Sequence, residues 1–125
     1  MNISIAFRQP CPLMSMNDRA HWSVRAREAR QWRHATHIAA RHAINTSAPG
    51  FSPIPLPPSI VTIVLPVPDR RRRDPHNYFA TIKPCVDGLV DAGLWPDDTP
   101  EWVTTTEPTL RVTTDRIVTI HITPR

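Results

Sequence analysis

Hydrophobic and polar positions alternate near the start of this chain. Ile3, Ile5 and Phe7 fall on one side, and Asn2, Ser4 and Arg8 on the other. A period of two predicts a short half-buried strand over residues 2–8. Pro10 and Pro12 end it, and CPLMSMNDRAHW reads as a loop. A long helix is predicted over residues 23–44. Ala29, Trp32, Thr36, Ala39 and Ala43 recur at the 3.6-residue period and form a small-residue packing face. Arg27, Arg30, His34, His37 and Arg41 repeat the spacing two residues out of phase. Such a basic face is ordinarily a solvated one; its functional reading is a stripe that contacts phosphates.

The proline-rich segment NTSAPGFSPIPLPP is a loop. SIVTIVLPV, residues 59–67, is a nearly continuous β-branched run, which predicts a central strand buried on both faces. Further on, Phe79, Ile82, Val86 and Leu89 mark a helix within residues 77–90, with Gly93 as its stop. Pro84 interrupts it. Either the helix kinks there or its regular part begins there, where the first turn tolerates proline. WVTTTEPTLRV predicts an edge strand because of its interior Pro108, and RIVTIHIT alternates as a last strand, antiparallel to it. The order β-α-β-α-β-β predicts an α+β domain: one mixed sheet of about four strands with two helices packed on it.

Composition narrows the function. The chain has 125 residues, enough for a single domain over 1–125. Hydrophobic residues make up 40% and charged residues 21%, as in a globular protein. No apolar run approaches the ~20 residues of a membrane span. The opening MNISIAFRQP lacks the layout of a secretory leader, so a cytoplasmic protein with no membrane partner is expected. Cys11 and Cys85 are too few for a disulfide scaffold and read as reduced thiols. Three glycines and no glycine-rich loop argue against a nucleotide cofactor. Trp22 and Trp32 suit the packing of the first helix, and Trp95 suits an anchor for the acidic turn after the second.

Charge is the more informative feature. The net charge is +4 and the pI about 10.0, a weak sign of a polyanionic partner. Fourteen of the fifteen basic residues are arginine; Lys83 is the only lysine. Asp69, Asp74, Asp87, Asp91, Asp97, Asp98 and Glu101 cluster in one stretch that also holds Arg70, Arg71, Arg72 and Arg73. Asp74, His76 and Asn77 emerge just after the buried strand, and Asp97 and Asp98 come one helix later. Carboxylates with a nearby histidine can hold a hard divalent cation, which lowers the pKa of bound water and neutralises phosphoryl charge. Arginines would bring the phosphate backbone in, where carboxylates alone would repel it. The ordinary alternative is that Asp97 or Asp98 only shapes the turn before Thr99 and Pro100.

DRRRRDPHN followed by KPCVDGLVDAGLWPDD resembles the RusA family of Holliday junction resolvases, found in phages and prophages. That family carries an arginine-rich run into a D-x-D-N motif, then a K-x-x-x-D-x-L helix and a G-x-[WL]-x-D-D turn. Pro12, Ser15 and Asn17 match its opening P-x-x-S-x-N loop, so the likeness spans essentially the whole chain. It implies a small homodimeric endonuclease of recombination and repair, working in the cytoplasm of a bacterial host and encoded by a phage or prophage. Such enzymes resolve four-way DNA junctions by paired symmetric nicks with a divalent metal, usually Mg²⁺. By position, Asp74 and Asp98 match metal-binding aspartates, Asn77 the motif asparagine, and Lys83 the lysine that assists catalysis.

Two departures follow. His76 stands where the commoner motif has its second aspartate, and imidazole suits Mn²⁺ better than Mg²⁺. The stretch from Asn77 to Lys83 is also a few residues longer than in the commonest arrangement. The expected catalytic set is therefore Asp74, His76, Lys83 and Asp98, with Asp97 as a further metal ligand. Arg70 to Arg73, Asn77, Arg27, Arg30 and Arg41 are the expected DNA contacts. The alternative is a branched-DNA-binding module with little or no catalysis.

Overall fold

The computed structural model describes residues 2–46, 48–51 and 53–125. Five strands and two long helices follow in the order β1 (Ile3–Arg8), α1 (Trp22–Asn45), β2 (Ser59–Val67), a 3-10 turn (Pro75–Tyr78), α2 (Phe79–Asp91), β3 (Val103–Thr105), β4 (Thr109–Val112) and β5 (Ile117–Pro124). This is an α+β fold: one mixed sheet with two helices packed on it. The threonine-rich segment is interrupted over residues 106–108, around Pro108, so it gives two short strands. The buried proline ring has no N–H to donate to a ladder.

The last strand lies in the middle. The order is β1-β5-β2, with β3 and β4 both parallel to β2 along its far edge. β5 is antiparallel to both β1 and β2. The expected pairing of the last two strands does not occur, because β2 sits between them. Rows of side chains cross the sheet: Ile3, Ile122 and Val61 form one, and Ile5, Ile120 and Ile63 the next. These residues are all buried.

The period-two reading of β1 and β5 holds, whereas β2 is not buried on both faces. Val61, Ile63 and Leu65 point into the core, while Ile60, Thr62 and Val64 remain partly accessible. Within this outer row Thr62 is the polar member and shares a 2.7 Å hydroxyl–hydroxyl hydrogen bond with Thr106. Both helices cover the same face and join one hydrophobic cluster with Trp32, Ala40, Ile82, Cys85, Val86 and Leu89.

Helix α1 buries Trp32, Thr36 and Ala40. Thr36 satisfies its hydroxyl on the Trp32 carbonyl, 2.9 Å away. Gly88 of α2 sits against this small face: a Cβ there would lie 2.9 Å from Thr36 Cβ and 3.1 Å from the His37 backbone nitrogen. The helices meet closely because neither side presents bulk. Pro84 is the sixth residue of α2 and is buried. The helix runs through it, forgoing one backbone hydrogen bond. Trp32 packs as expected, but Trp22 does not: it is 75% exposed at the start of α1.

Candidate nucleic-acid groove and carboxylate–lysine cluster

Three loops gather at the end of the sheet where β2 finishes. The loop after β1 is strapped down from both sides. Gln9 donates its backbone N–H to the Arg116 carbonyl at 2.9 Å, and Trp32 Nε1 donates to the Pro12 carbonyl at 3.2 Å. Buried Thr81 of α2 both accepts from the Met14 N–H (2.7 Å) and donates to the Met14 carbonyl (2.8 Å). The Met16 N–H reaches the Asn77 carbonyl at 2.8 Å. The same loop is thereby fixed to the 3-10 turn that carries the candidate residues.

Asp74 caps that turn. Its carboxylate accepts the His76 N–H at 3.0 Å, and Pro75 takes the first position, where a missing N–H costs nothing. Asp74 is exposed and lines a pocket of about 280 Å³ whose other charged walls are Arg71, Arg72 and Arg73. Ser15, Asn77 and Tyr78 complete it. A larger groove of about 590 Å³ adjoins it and shares Ser15, Arg71, Arg73 and Tyr78. It runs past Pro66–Pro68 to Thr113, Thr114 and Arg116.

The four consecutive arginines are not equivalent. Arg70, Arg71 and Arg72 are exposed. Arg73 folds back: its side chain is only 8% exposed, pairs with Asp69 at 3.0 Å, and donates to the carbonyls of Asp69 and Arg71. Asp69 in turn accepts the Arg71 N–H. That backbone bond, together with the Arg73 pair, holds its carboxyl below the usual range. Arg73 thus shapes the loop and is not a free phosphate contact.

The basic stripe on α1 is divided in the same way. Arg27 and Arg30 are exposed. Arg41 leans inward and donates to the Ala92 carbonyl and to Asn45 Oδ1, both at 3.2 Å. His37 also faces α2, and its Nδ1 is buried without a hydrogen-bond partner. Between these stripe positions Arg33 locks the helices together, with a two-point contact to Asp91 at 2.6 and 2.8 Å. That contact raises the Arg33 pKa and lowers that of Asp91. Periodicity singled out neither residue, because the pair lies 58 positions apart.

The second cluster lies along α2. Lys83 Nζ donates to Asp87 Oδ1 at 2.8 Å and is also bonded to Asp98 Oδ2. The Lys83 side chain is 63% exposed. Asp87, then Asp98, raise its pKa, and Lys83 lowers that of Asp98. Exposed ion pairs contribute little stability, and a lysine four residues before an acid runs against the favourable sense on a helix. The trio is poor as a structural brace. The turn bearing Asp98 is well held: Trp95 is buried with its Nε1 on the Pro57 carbonyl at 3.3 Å, and Arg125 donates to the carbonyls of Pro100 and Glu101.

The expected metal shell is not drawn together. Among the described residues, no three of His, Cys, Asp and Glu are grouped closely enough to hold an ion. His76 packs its ring edge-on against Phe79, with centroids 5.2 Å apart. Asp97 accepts the Thr99 N–H at 3.0 Å and the Thr99 hydroxyl at 2.7 Å. Those bonds, the hydroxyl first, lower its pKa. Asp97 is therefore a turn former. Asp87, which was not among the expected site residues, is the carboxylate that joins Asp98 at Lys83; its place four residues after the lysine, the D of the K-x-x-x-D-x-L pattern, was the available signal.

Compared with protein-family models and with curated proteins, the chain matches none. Among the described residues no helix is long and apolar enough to cross a membrane.

Proposed function

We propose that this protein is a structure-selective DNA endonuclease of the RusA type, which resolves four-way junctions by paired symmetric nicks. The observation that carries the reading is the setting of Asp74: an exposed carboxylate in a pocket whose other charged walls are all arginine. Arginines alone would suit binding, and a carboxylate would weaken it. A carboxylate among arginines suits a site that draws in a phosphate and then acts on it.

The cofactor of this reading is Mg²⁺, or Mn²⁺. Asp74 and Asp98 fit it in donor type, since both offer exposed, hard carboxylate oxygens. Mg²⁺ keeps several waters and needs only one or two carboxylates beside substrate phosphates, so a protein cage of three ligands is not required. When bound, the metal supplies an acidified water and neutralises phosphate charge.

The protein's own residues do the rest. Arg70, Arg71 and Arg72 attract and position the backbone, with Arg27 and Arg30 as outlying contacts. An ammonium has three N–H groups. Lys83 uses two on Asp87 and Asp98, and the third is free to donate to a phosphate oxygen as charge builds in the transition state. The carboxylates keep Lys83 protonated and aimed. Paired symmetric nicks require a C2 homodimer with two equivalent sites. The place of action is the cytoplasm of a bacterial host, with the gene carried by a phage or prophage.

The test is incubation with a synthetic four-way junction, with and without Mg²⁺ or Mn²⁺. Paired metal-dependent nicks are the expected result. A second reading, a branched-DNA-binding module without catalysis, is favoured by the absence, among the described residues, of any three ligand-type side chains gathered together. A mobility shift with no nick under either metal would select it, and neither shift nor nick would overturn both.

A further inference from the structure

We infer that the groove beyond the Asp74 pocket is a second nucleic-acid subsite, which grips the sugar–phosphate backbone of a junction arm between Arg71 and Arg116. This rests on the reading of the Asp74 pocket as a DNA site and extends it to residues outside the recognised motif.

None of the residues lining the groove is acidic. Arg73 is neutralised by Asp69, but among the described residues no ion pair or side-chain hydrogen bond engages the guanidinium of Arg71 or Arg116. Two arginines outside any ion pair therefore line one groove from separate elements, the loop after β2 and the turn before β5. Thr114 and Tyr78 add hydroxyl donors to the lining, while exposed Pro12 and Pro68 add an apolar surface. Cations and hydroxyls suit phosphates, and the apolar part suits sugars. The groove shares four residues with the Asp74 pocket, so a strand lying in it leads to the candidate scissile position. A free phosphate would use only one of these features; a continuous backbone uses them all.

The Arg116 jaw is held in place. The Arg116 carbonyl accepts from Gln9, and Asp115 next to it accepts the Ile117 N–H at 2.8 Å while pairing with Arg111. Arg116 also has φ 58°, a left-handed conformation that glycine or asparagine adopts more easily. An arginine here brings no advantage to the turn, whereas it places a cationic residue in the lining of the groove.

The experiment measures equilibrium binding of a fluorescent four-way junction, without divalent metal, over a series of salt concentrations. Arg116→Gly and Arg116→Asn both suit the positive φ and keep the turn folded. Each is expected to weaken binding about tenfold, the equivalent of one charge-assisted hydrogen bond. Each should also reduce the slope of log affinity against log salt by about 0.9. If the parent binds and both variants keep its affinity and slope, the subsite is overturned while the DNA-enzyme reading stands. If Arg116 governs binding but no metal supports nicking, the subsite stands and the enzyme reading falls. A parent that binds no junction at any salt overturns both.

Discussion

Replacing Gly88 with alanine tests the closest helix contact and its bearing on the candidate site. The added Cβ would meet the Arg33 carbonyl oxygen at less than contact distance, with Thr36 Cβ at 2.9 Å and the His37 nitrogen at 3.1 Å. Two of these neighbours are backbone atoms of a 24-residue helix, so no side chain can swing aside. Overpacking of this kind costs about 1–3 kcal/mol, and rigid neighbours place it near the upper figure. Alanine returns up to about 1 kcal/mol through its better helix propensity. The net loss is about 2 kcal/mol, which for a domain of this size lowers Tm by about 8 °C. Urea and thermal denaturation followed by circular dichroism would measure it. Because Asp87 is the adjacent residue and Lys83 lies one turn earlier, a shifted α2 should also slow any junction cutting. A Gly88→Ala protein as stable as the parent, with an unchanged urea m-value, would refute the close approach of α1 and α2.

Asp74→Asn and Asp98→Asn should each nearly abolish metal-dependent cutting while leaving junction affinity equal or higher, because neither removes a phosphate contact; near-parental cutting at saturating metal would exclude that residue from the chemistry. Alanine at both Arg71 and Arg72 should lower the salt slope of binding by about 1.8, whereas Arg73→Ala should chiefly lower Tm, since its guanidinium is spent on Asp69; the reverse pattern in paired binding and melting experiments would refute the division. The folded pKa of Asp91 is depressed by Arg33, so its contribution to stability is present above the unfolded carboxyl pKa and is lost as pH falls through the folded value. The stability gap between parent and Asp91→Asn, read from urea midpoints, should therefore exist at pH 7 and shrink below about pH 4; a gap independent of pH would contradict the pair.

Local information was legible where one period dominates. The strand over residues 2–8 and the helix over 23–44 were readable because each keeps its period over several repeats; residues 59–67 were readable as a strand from their β-branched run, but that run hid which face is buried. Asp74, Asp98 and Lys83 were readable as candidates because they sit at fixed distances within one stretch. The division of labour among the arginines was not: Arg73 and Arg72 are chemically identical neighbours, and only the loop's path turns one onto Asp69 and the other to solvent. Trp22 likewise has the composition of a core residue, but α1 begins where no other element reaches it.

From the sequence alone came an α+β domain with these elements, a basic surface and an acidic cluster around one lysine. Only the tertiary structure decided that the last strand enters between the first two, that Pro108 splits a strand, that Arg33 and Asp91 tie the helices, and that Arg116 shares a groove with Arg71. The reason is physical. Helix turns and strand alternation depend on residues a few positions apart, so their record is local. Backbone N–H and C=O groups are the same at every residue, so which strands pair is settled by how the whole set of apolar faces can be buried together. Ion pairs far apart in sequence are a consequence of that packing.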